Sequence, residues 1–507
     1  MNDLASFAAD FADIPAIVGT GLPGLRRARY LLIHIDDPQA ALHWLRQVLA
    51  LGLVQSLDQV RRGAPQRRWW QRARAAAPAP GVARLQESVT LAFSHAGLLA
   101  LGLQDDDELP FPSAFRAGMA STLRRQLLGD ASDPPWRWGD AGEQGEFVAH
   151  ILVAHCWHDD ATPAPPLDPA ALPAGLRALV VSSCPSYIDA SAQAGAAPAM
   201  FEPFGFRDGV GQPVLAGLSL SAFERRVRAE AGELFADRVV QPGEFVLGQP
   251  NEYAERAYCP SVRGWPGERS PAAGFGRNGS YLAVRQIAQH VQVFNDFVAA
   301  HPALNMGEAF VGRDRAHGRS PLGVAQPPSE VDAFRYLQTD AQGFECPRGA
   351  HVRRAHPRDA LARSVQEGIA TSKIHRLLRR GRVYTESCAR GGAVDACAGL
   401  AAQRDGAQPC GRGLMFVALN ADLERQFEFV QRSWIAGSRF GDLSDEQDPL
   451  LGTAADRAFT LQGCPVGQRI GALPRFTTVL GGGYFLAPGL GALRLLATGK
   501  LSGVGRP

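Results

Sequence analysis

The feature that most constrains this chain is a local grammar that recurs along it: a short apolar, β-forming run followed at once by a helix with one apolar face. RARYLLIHID at 27–36 leads into PQAALHWLRQVLALG, where Ala41, Leu42, Leu45, Val48 and Leu49 fall on one helical stripe. SVTLAFSHAGLLALGL at 88–103 repeats the pattern, and EFVAHILVAHCW at 146–157 supplies another strand. Past residue 196 the grammar starts again, with SYLAVRQIAQHVQVFNDFVAAH at 280–301, GLMFVALNADLERQFEFVQRSW at 413–434 and GYFLAPGLGALRLLA at 483–497. Two related α+β halves, each a sheet covered by helices, fit this order better than a doubly wound parallel sheet.

Composition narrows the function classes. A chain of 507 residues that is 46% hydrophobic and 20% charged has room for two or three cored domains and is too apolar to be disordered. Lys+Arg 52 against Asp+Glu 50 leaves a formal charge of +2, which gives no field to collect nucleic acid. The start, MNDLASFAADFADIP, has neither a basic nor an apolar signal region, so a cytoplasmic protein is expected. The most continuous apolar stretch, 479–498, is broken by three glycines and then by Pro488 and Gly489, so no membrane span is expected. None of the eight cysteines falls in a C-x-x-C pair, and reduced thiols are expected. Segments 62–81 and 159–175 read as surface, and the Gly- and Ala-rich 385–412 reads as a loop insertion. The spacing of its Cys388, Cys397 and Cys410 matches no standard zinc pattern.

Several short motifs are decoys. Gly19-Thr20-Gly21-Leu22-Pro23-Gly24 satisfies a dinucleotide fingerprint but is flanked by prolines and followed by a strand, where a preceding strand and a following helix are needed. His155-Cys156-Trp157-His158 looks like a ligand cluster, yet in a strand His155 and Cys156 point to opposite faces, which favours a core or edge histidine.

Three segments carry chemistry. In FEPFGFRDGVGQP at 201–213, Asp208 lies between Gly205 and Gly209, so the backbone can turn tightly and approach a flat ligand with the carboxylate forward; singly it reads equally as an aspartate in a surface turn. In CPRGAHVRRAHPRD at 346–359, His351 and His356 sit among arginines. Imidazole is a common haem iron ligand, and guanidinium groups such as Arg353 and Arg358 suit haem propionates; the alternative is a basic surface loop. IHRLLRRGRVY at 374–384 places Arg376, Arg379, Arg380 and Arg382 on a helix-like run ended by Gly381, which singly reads as a solvated basic face.

Together and in this order, GFRDG at 205–209, NGSYLAVRQ at 278–286, CPRGAHVRRAHPR at 346–358, LLRRGRVY at 377–384, GLMFVALNADLERQFEFVQRSW at 413–434 and GGGYFLAPGLGALR at 481–494 resemble the dye-decolorizing peroxidase family. Weaker similarity reaches back to ARYLLIHIDD at 28–37, so nearly the whole chain is covered. The resemblance implies an α+β fold of two ferredoxin-like domains packed through antiparallel sheets, of the dimeric α+β barrel type. The N-terminal domain would span 1–195, and the C-terminal domain, 196–507, would hold haem b.

Carried over by position, Asp208 would be the distal acid-base residue and Arg379, rather than the adjoining Arg380, the distal arginine. His351 would be the axial iron ligand, and Asp422 the carboxylate bonded to it. His356 departs from the family pattern, which has a small polar residue there. The implied activity is reduction of hydrogen peroxide with oxidation of small aromatic or dye-like donors, and an aspartate that titrates at about 3.9 would favour the acid side of neutral. Trp69, Trp70 and Trp434 are candidate electron relays, although packing or a surface position explains each of them better. The competing reading is a haem-binding, haem-transfer or iron-releasing protein with little turnover, which would have no need of Asp208 and Arg379 together.

Overall fold

The computed structural model describes residues 7–22, 25, 27–63, 85–131, 134–142, 147–158, 165–183, 187–188, 200–209, 211–218, 233–314, 334–385 and 411–501. The expected domain boundary at 195, the 385–412 insertion beyond Thr385 and short of Gly411, and both Trp69 and Trp70 lie outside these residues.

The expected strand-helix units form. In the N-terminal half, β1 (Arg27–Ile35) runs into α1 (Pro38–Ala50), β2 (Glu87–Phe93) into α2 (His95–Ala100), and β3 (Ile151–Trp157) and β4 (Leu176–Ser183) complete the strands. The entry to α1 is written locally: Asp37 accepts the Gln39 amide at 2.8 Å, and Pro38 occupies the first turn, where no amide donor is needed. Ser94 starts α2 in the same way, accepting the Gly97 amide at 3.0 Å. In the C-terminal half, β5 (Ser280–Gln289) leads into α3 (Val291–Ala299), and α4 (His351–Ala355) and α5 (Val365–Lys373) follow. Next come β6 (Leu378–Arg379), β7 (Arg382–Thr385) and β8 (Arg412–Asn420), then β9 (Thr477–Ala487) and α6 (Leu490–Ala497). Between β8 and β9 a helix with π-type winding occupies Glu424–Glu428 and Val430–Ile435.

The strands lie in the order β6-β8-β5-β9-β2-β3-β1-β4, with β7 also on β8. Each half contributes an antiparallel block, and the blocks join where Leu486 of β9 pairs with Phe93 of β2 and where Gly481 and Gly482 of β9 pair in parallel with the short strand Trp138–Gly139. At the other end β7 comes up against β4, so the sheet curls back on itself. Because successive side chains alternate faces, each strand feeds two cores. The inner one brings Tyr30, Leu32 and Leu152 of the first half against Leu282, Val417, Leu419 and Phe485 of the second. The outer one buries Leu31, Ile33, Val153, Ala283 and Tyr484 under helices such as α1 and α6. This is the two-unit α+β arrangement packed through antiparallel sheets.

One local expectation fails. The run at 374–384 is not a helix ended by Gly381: after a turn at Ile374 and His375 it becomes extended as β6 and β7. Leu378 and Arg379 pair with Leu419 and Ala418, Arg382 and Val383 pair with Met415 and Leu414, and the Arg380 amide bonds the Val417 carbonyl at 2.7 Å between them. Pairing with β8 overrides the helix propensity of Leu and Arg. Gly381 is needed because the backbones meet closely: a Cβ there would lie 2.5 Å from the Met415 carbonyl oxygen.

Candidate active site

The first half of the site is built around His351, the first residue of α4. Its Nδ1 lies 2.8 Å from Oδ2 of Asp448, 97 residues further on. The other Asp448 oxygen accepts the amides of Leu450 and Leu451, both at 2.9 Å. Burial alone would raise this carboxyl, but His351, the backbone amide of Leu451 and nearby Arg354 outweigh it and hold the group below the ordinary aspartate range. A buried carboxylate on Nδ1 fixes the ring orientation and leaves Nε2, on a side chain 28% exposed, to coordinate. Arg354 holds the two elements together. Fully buried, it donates to the carbonyls of Gly349, Trp434, Gly437 and Glu446, tying α4 to the loop that ends in Asp448.

The second half is built on a loop and a strand. Ahead of Asp208, Glu202 accepts the Phe204 and Phe206 amides at 2.9 and 2.8 Å and the Gln289 side chain at 2.6 Å, which shapes the turn. Gly205 and Gly209 both take positive φ, at 87° and 80°, so the turn needs glycine on each side of Asp208. The Asp208 Oδ1 accepts the Gly209 amide at 2.6 Å. Beyond it, Gln212 grips the backbone of Arg379 twice: Oε1 accepts the Arg379 amide and Nε2 donates to its carbonyl, each at 3.2 Å. Arg376 adds a bond to the Gly211 carbonyl at 2.7 Å. The loop carrying Asp208 is thereby clamped to the strand carrying Arg379.

The register separates the adjoining arginines. Arg379 stands opposite Ala418 and Gly381 falls opposite Phe416, on the face where β8 leaves Leu414 and Phe416 half-buried. Arg380 and Arg382 point the other way and are bound to the N-terminal segment. Arg380 donates to the carbonyls of Ile17 and Val18, and Arg382 to those of Gly21, Leu22 and Leu25. The dinucleotide-like Gly19–Leu22 stretch is thus a docking strap for Arg382. Leu377, two residues before Arg379, packs in one cluster with Ala355 of α4 and with Leu451 beside Asp448. That cluster joins the two halves of the site.

Three expected site residues act elsewhere. Asp422 does not bond His351: its Oδ1 accepts the Arg425 amide at 2.9 Å and caps the following helix, while Asp448 holds the imidazole. Arg353 is buried and donates to Asp340 and the Cys346 carbonyl, bracing the loop before its own helix. Arg358, also buried, donates to the Tyr336 hydroxyl and the His356 carbonyl and lies over the Phe334 ring. The bonds of both arginines run to groups of the protein's own interior. His356 lies close to Arg376, Arg358, Arg238 and Arg379; packing around the ring and these four cations hold it neutral, well below the ordinary histidine range. Of the decoys, His155 pairs with Glu87 at 2.5 Å inside the sheet, as a core histidine does.

Comparison with known proteins bears on what this arrangement is for. Residues 268–453 match the family model described as Dyp-type peroxidase, C-terminal. The dye-decolorizing peroxidase msp1 of Mycetinis scorodonius is 28% identical over 445 residues, covering 80% of this chain and 76% of that protein. That of Exidia glandulosa is 26% identical over 446 residues, covering 82% and 76%. The chain is thus similar to dye-decolorizing peroxidases over most of its length. As a DyP-type peroxidase it is an oxidoreductase, and DyP-type peroxidases are haem-dependent. The fold agrees: a DyP-type peroxidase of Anabaena superposes with a TM-score of 0.69 at 21% identity, over 97% of this chain and 95% of its own. One from Auricularia auricula-judae gives 0.67 at 21%, over 97% and 99%.

Within this DyP-type peroxidase, sequence reading missed Asp448, Arg354, Gln212 and Glu202. The Asp448-Pro449 dipeptide signals a turn, but nothing in it names a partner 97 residues away. Trp434 is buried against His375 and Phe429.

Proposed function

We propose that this protein is a haem b peroxidase that reduces hydrogen peroxide and oxidises small aromatic or dye-like donors, with 1–195 and 196–507 as its two domains. The observation that carries the reading is the buried Asp448 carboxylate on Nδ1 of His351, which presents Nε2 as an iron ligand. The residues present suit haem: one neutral nitrogen donor with a carboxylate behind it, a half-open apolar floor of Leu414 and Phe416, and a cation, Arg379, on the same face. When bound, haem supplies the iron at which the peroxide O–O bond is cleaved.

The chain's own groups do the rest. Asp208 would take a proton from hydrogen peroxide and return it to the oxygen that leaves as water, a shuttle available to a carboxylate on a loop tip. Arg379 stabilises the negative charge that grows on the leaving oxygen, worth about 3 kcal/mol for a preorganised donor. Asp448, by accepting the Nδ1–H of His351, makes the imidazole a stronger donor.

Asp208→Asn tests the acid-base role. It should slow the reaction with peroxide by about 10²- to 10⁴-fold while leaving the Soret band in place. A rate within about threefold of wild type would remove Asp208 from the mechanism. A wild-type band that ignores peroxide would turn the reading towards haem handling.

A further inference from the structure

The sheet face that carries Arg379 carries a second chemical group. Register sets Arg379, Ala418, Ala283 and Tyr484 side by side across β6, β8, β5 and β9. Tyr484 therefore stands on the face of Arg379, three strand spacings or roughly 14 Å away, with two alanines between them. Its ring is fully buried, edge-on to Phe427 at 6.2 Å. Its hydroxyl donates to Oε1 of Glu428 at 2.8 Å. The other Glu428 oxygen accepts from Arg124 at 2.7 Å, and Arg124 reaches on to Glu424 at 2.9 Å and to Ser113 at 3.1 Å. Glu424 is half exposed, so a polar chain leads from the buried phenol to the surface.

Packing does not require this chain. Phenylalanine would fill the same space, and a buried carboxylate costs desolvation that an apolar residue would avoid. Burial and the Glu428 charge push the Tyr484 phenol well above its ordinary range, so at rest it is neutral and keeps its proton. A neutral phenol that gives up an electron becomes a strong acid, and a carboxylate at hydrogen-bond distance takes the proton without a long transfer through the core.

We propose that Tyr484 is a redox-active tyrosine that supplies one electron to the oxidising equivalent peroxide leaves at the haem site, passing its phenolic proton to Glu428. The inference rests on the peroxidase reading above. In the forward step Tyr484 loses one electron and its O–H bond breaks. Its proton bonds to Oε1 of Glu428, leaving a neutral phenoxyl radical beside a neutral carboxyl, and the haem site is reduced by one electron. Recovery reverses both movements: an aromatic donor gives one electron to the phenoxyl, and Glu428 returns the proton. The site thus holds one of the two oxidising equivalents of peroxide away from the haem.

The test uses the haem-loaded protein with ring-deuterated tyrosine incorporated, mixed with one equivalent of hydrogen peroxide, frozen, and examined by electron paramagnetic resonance alongside its Soret band. Wild type should give a tyrosyl signal whose hyperfine structure narrows on deuteration. Tyr484→Phe should lower that signal at least about tenfold with the Soret response retained. Glu428→Gln, which keeps the phenol and the packing volume, should lower the yield severalfold, and this reads the proton half of the step even if Tyr484→Phe folds poorly. A responsive Soret band with no tyrosyl signal, or with a signal unchanged in either variant, would overturn the proposal alone. A wild-type band indifferent to peroxide would overturn the peroxidase reading and this proposal with it.

Discussion

His351 and Asp208 are held in different ways, and the contrast shows where this protein is stiff and where it can adjust. The His351 side is a closed network: Asp448 has both oxygens occupied, and Arg354 on α4 joins the carbonyls of Gly349, Trp434, Gly437 and Glu446. The Asp208 side is a glycine-flanked loop tied at its base by Gln212 on the backbone of Arg379 and by Arg376 on the Gly211 carbonyl. An iron ligand has to keep one orientation, so a buried, fully bonded partner suits it. A proton shuttle has to reach two oxygens in turn, and a loop tip fixed at its base suits that.

The contrast can be broken most forcefully at Arg354. Arg354→Met should destabilise the protein by about 3–5 kcal/mol, because four carbonyls, three of them in buried bonds, lose their donor, and urea unfolding would measure it. A loss under about 1 kcal/mol would mean that the network around His351 is not what fixes it.

Asp448→Asn comes next. It keeps the shape but removes the charge behind His351, and haem affinity or turnover should fall about 10- to 100-fold. The sign of the pH effect follows from the depressed carboxyl. Its stabilisation is present in full above the ordinary aspartate pKa of 3.8, and it is lost only as pH falls through the lower folded value. The stability of the folded wild type should therefore carry an acid edge below the ordinary aspartate range that the Asn variant lacks; acid unfolding of the two proteins followed by circular dichroism would show it.

The smallest effect is expected at Gln212. Gln212→Leu frees the loop from Arg379 and should slow the peroxide reaction about tenfold, on the scale of a misplaced catalytic group, with haem binding unchanged. If haem binding fell as well, the two sides would not be separable, and the contrast would be wrong.

How much of this the sequence discloses follows the same division. The strand-helix units were legible because their apolar periodicity and caps, such as Asp37 with Pro38, are local. Asp208 was legible because its glycines lie within three residues of it. The 374–384 run was misread because its strand form is imposed by β8, some thirty residues later in the chain, against the propensity of its own residues. Asp422 takes the role in the sequence because it sits in a recognisable motif, yet it caps the helix that follows it, and nothing local marks Asp448. Arg353 and Arg358 share a basic segment with His351, and their burial against Asp340 and Tyr336 is a property of packing alone. A long-range partner leaves no spacing rule in a single chain, and the partners of His351 and Arg379 are of that kind.

The central claim, that His351 is the ligand of a haem that reacts with peroxide, is tested most directly by the absorption spectrum of the purified, haem-supplemented protein. It would be recorded before and after one equivalent of hydrogen peroxide, in wild type and in His351→Ala. The account expects a Soret band that shifts with peroxide in wild type and is lost or displaced in the variant. A band that is absent from wild type, or that is the same in the variant as in wild type, would contradict it.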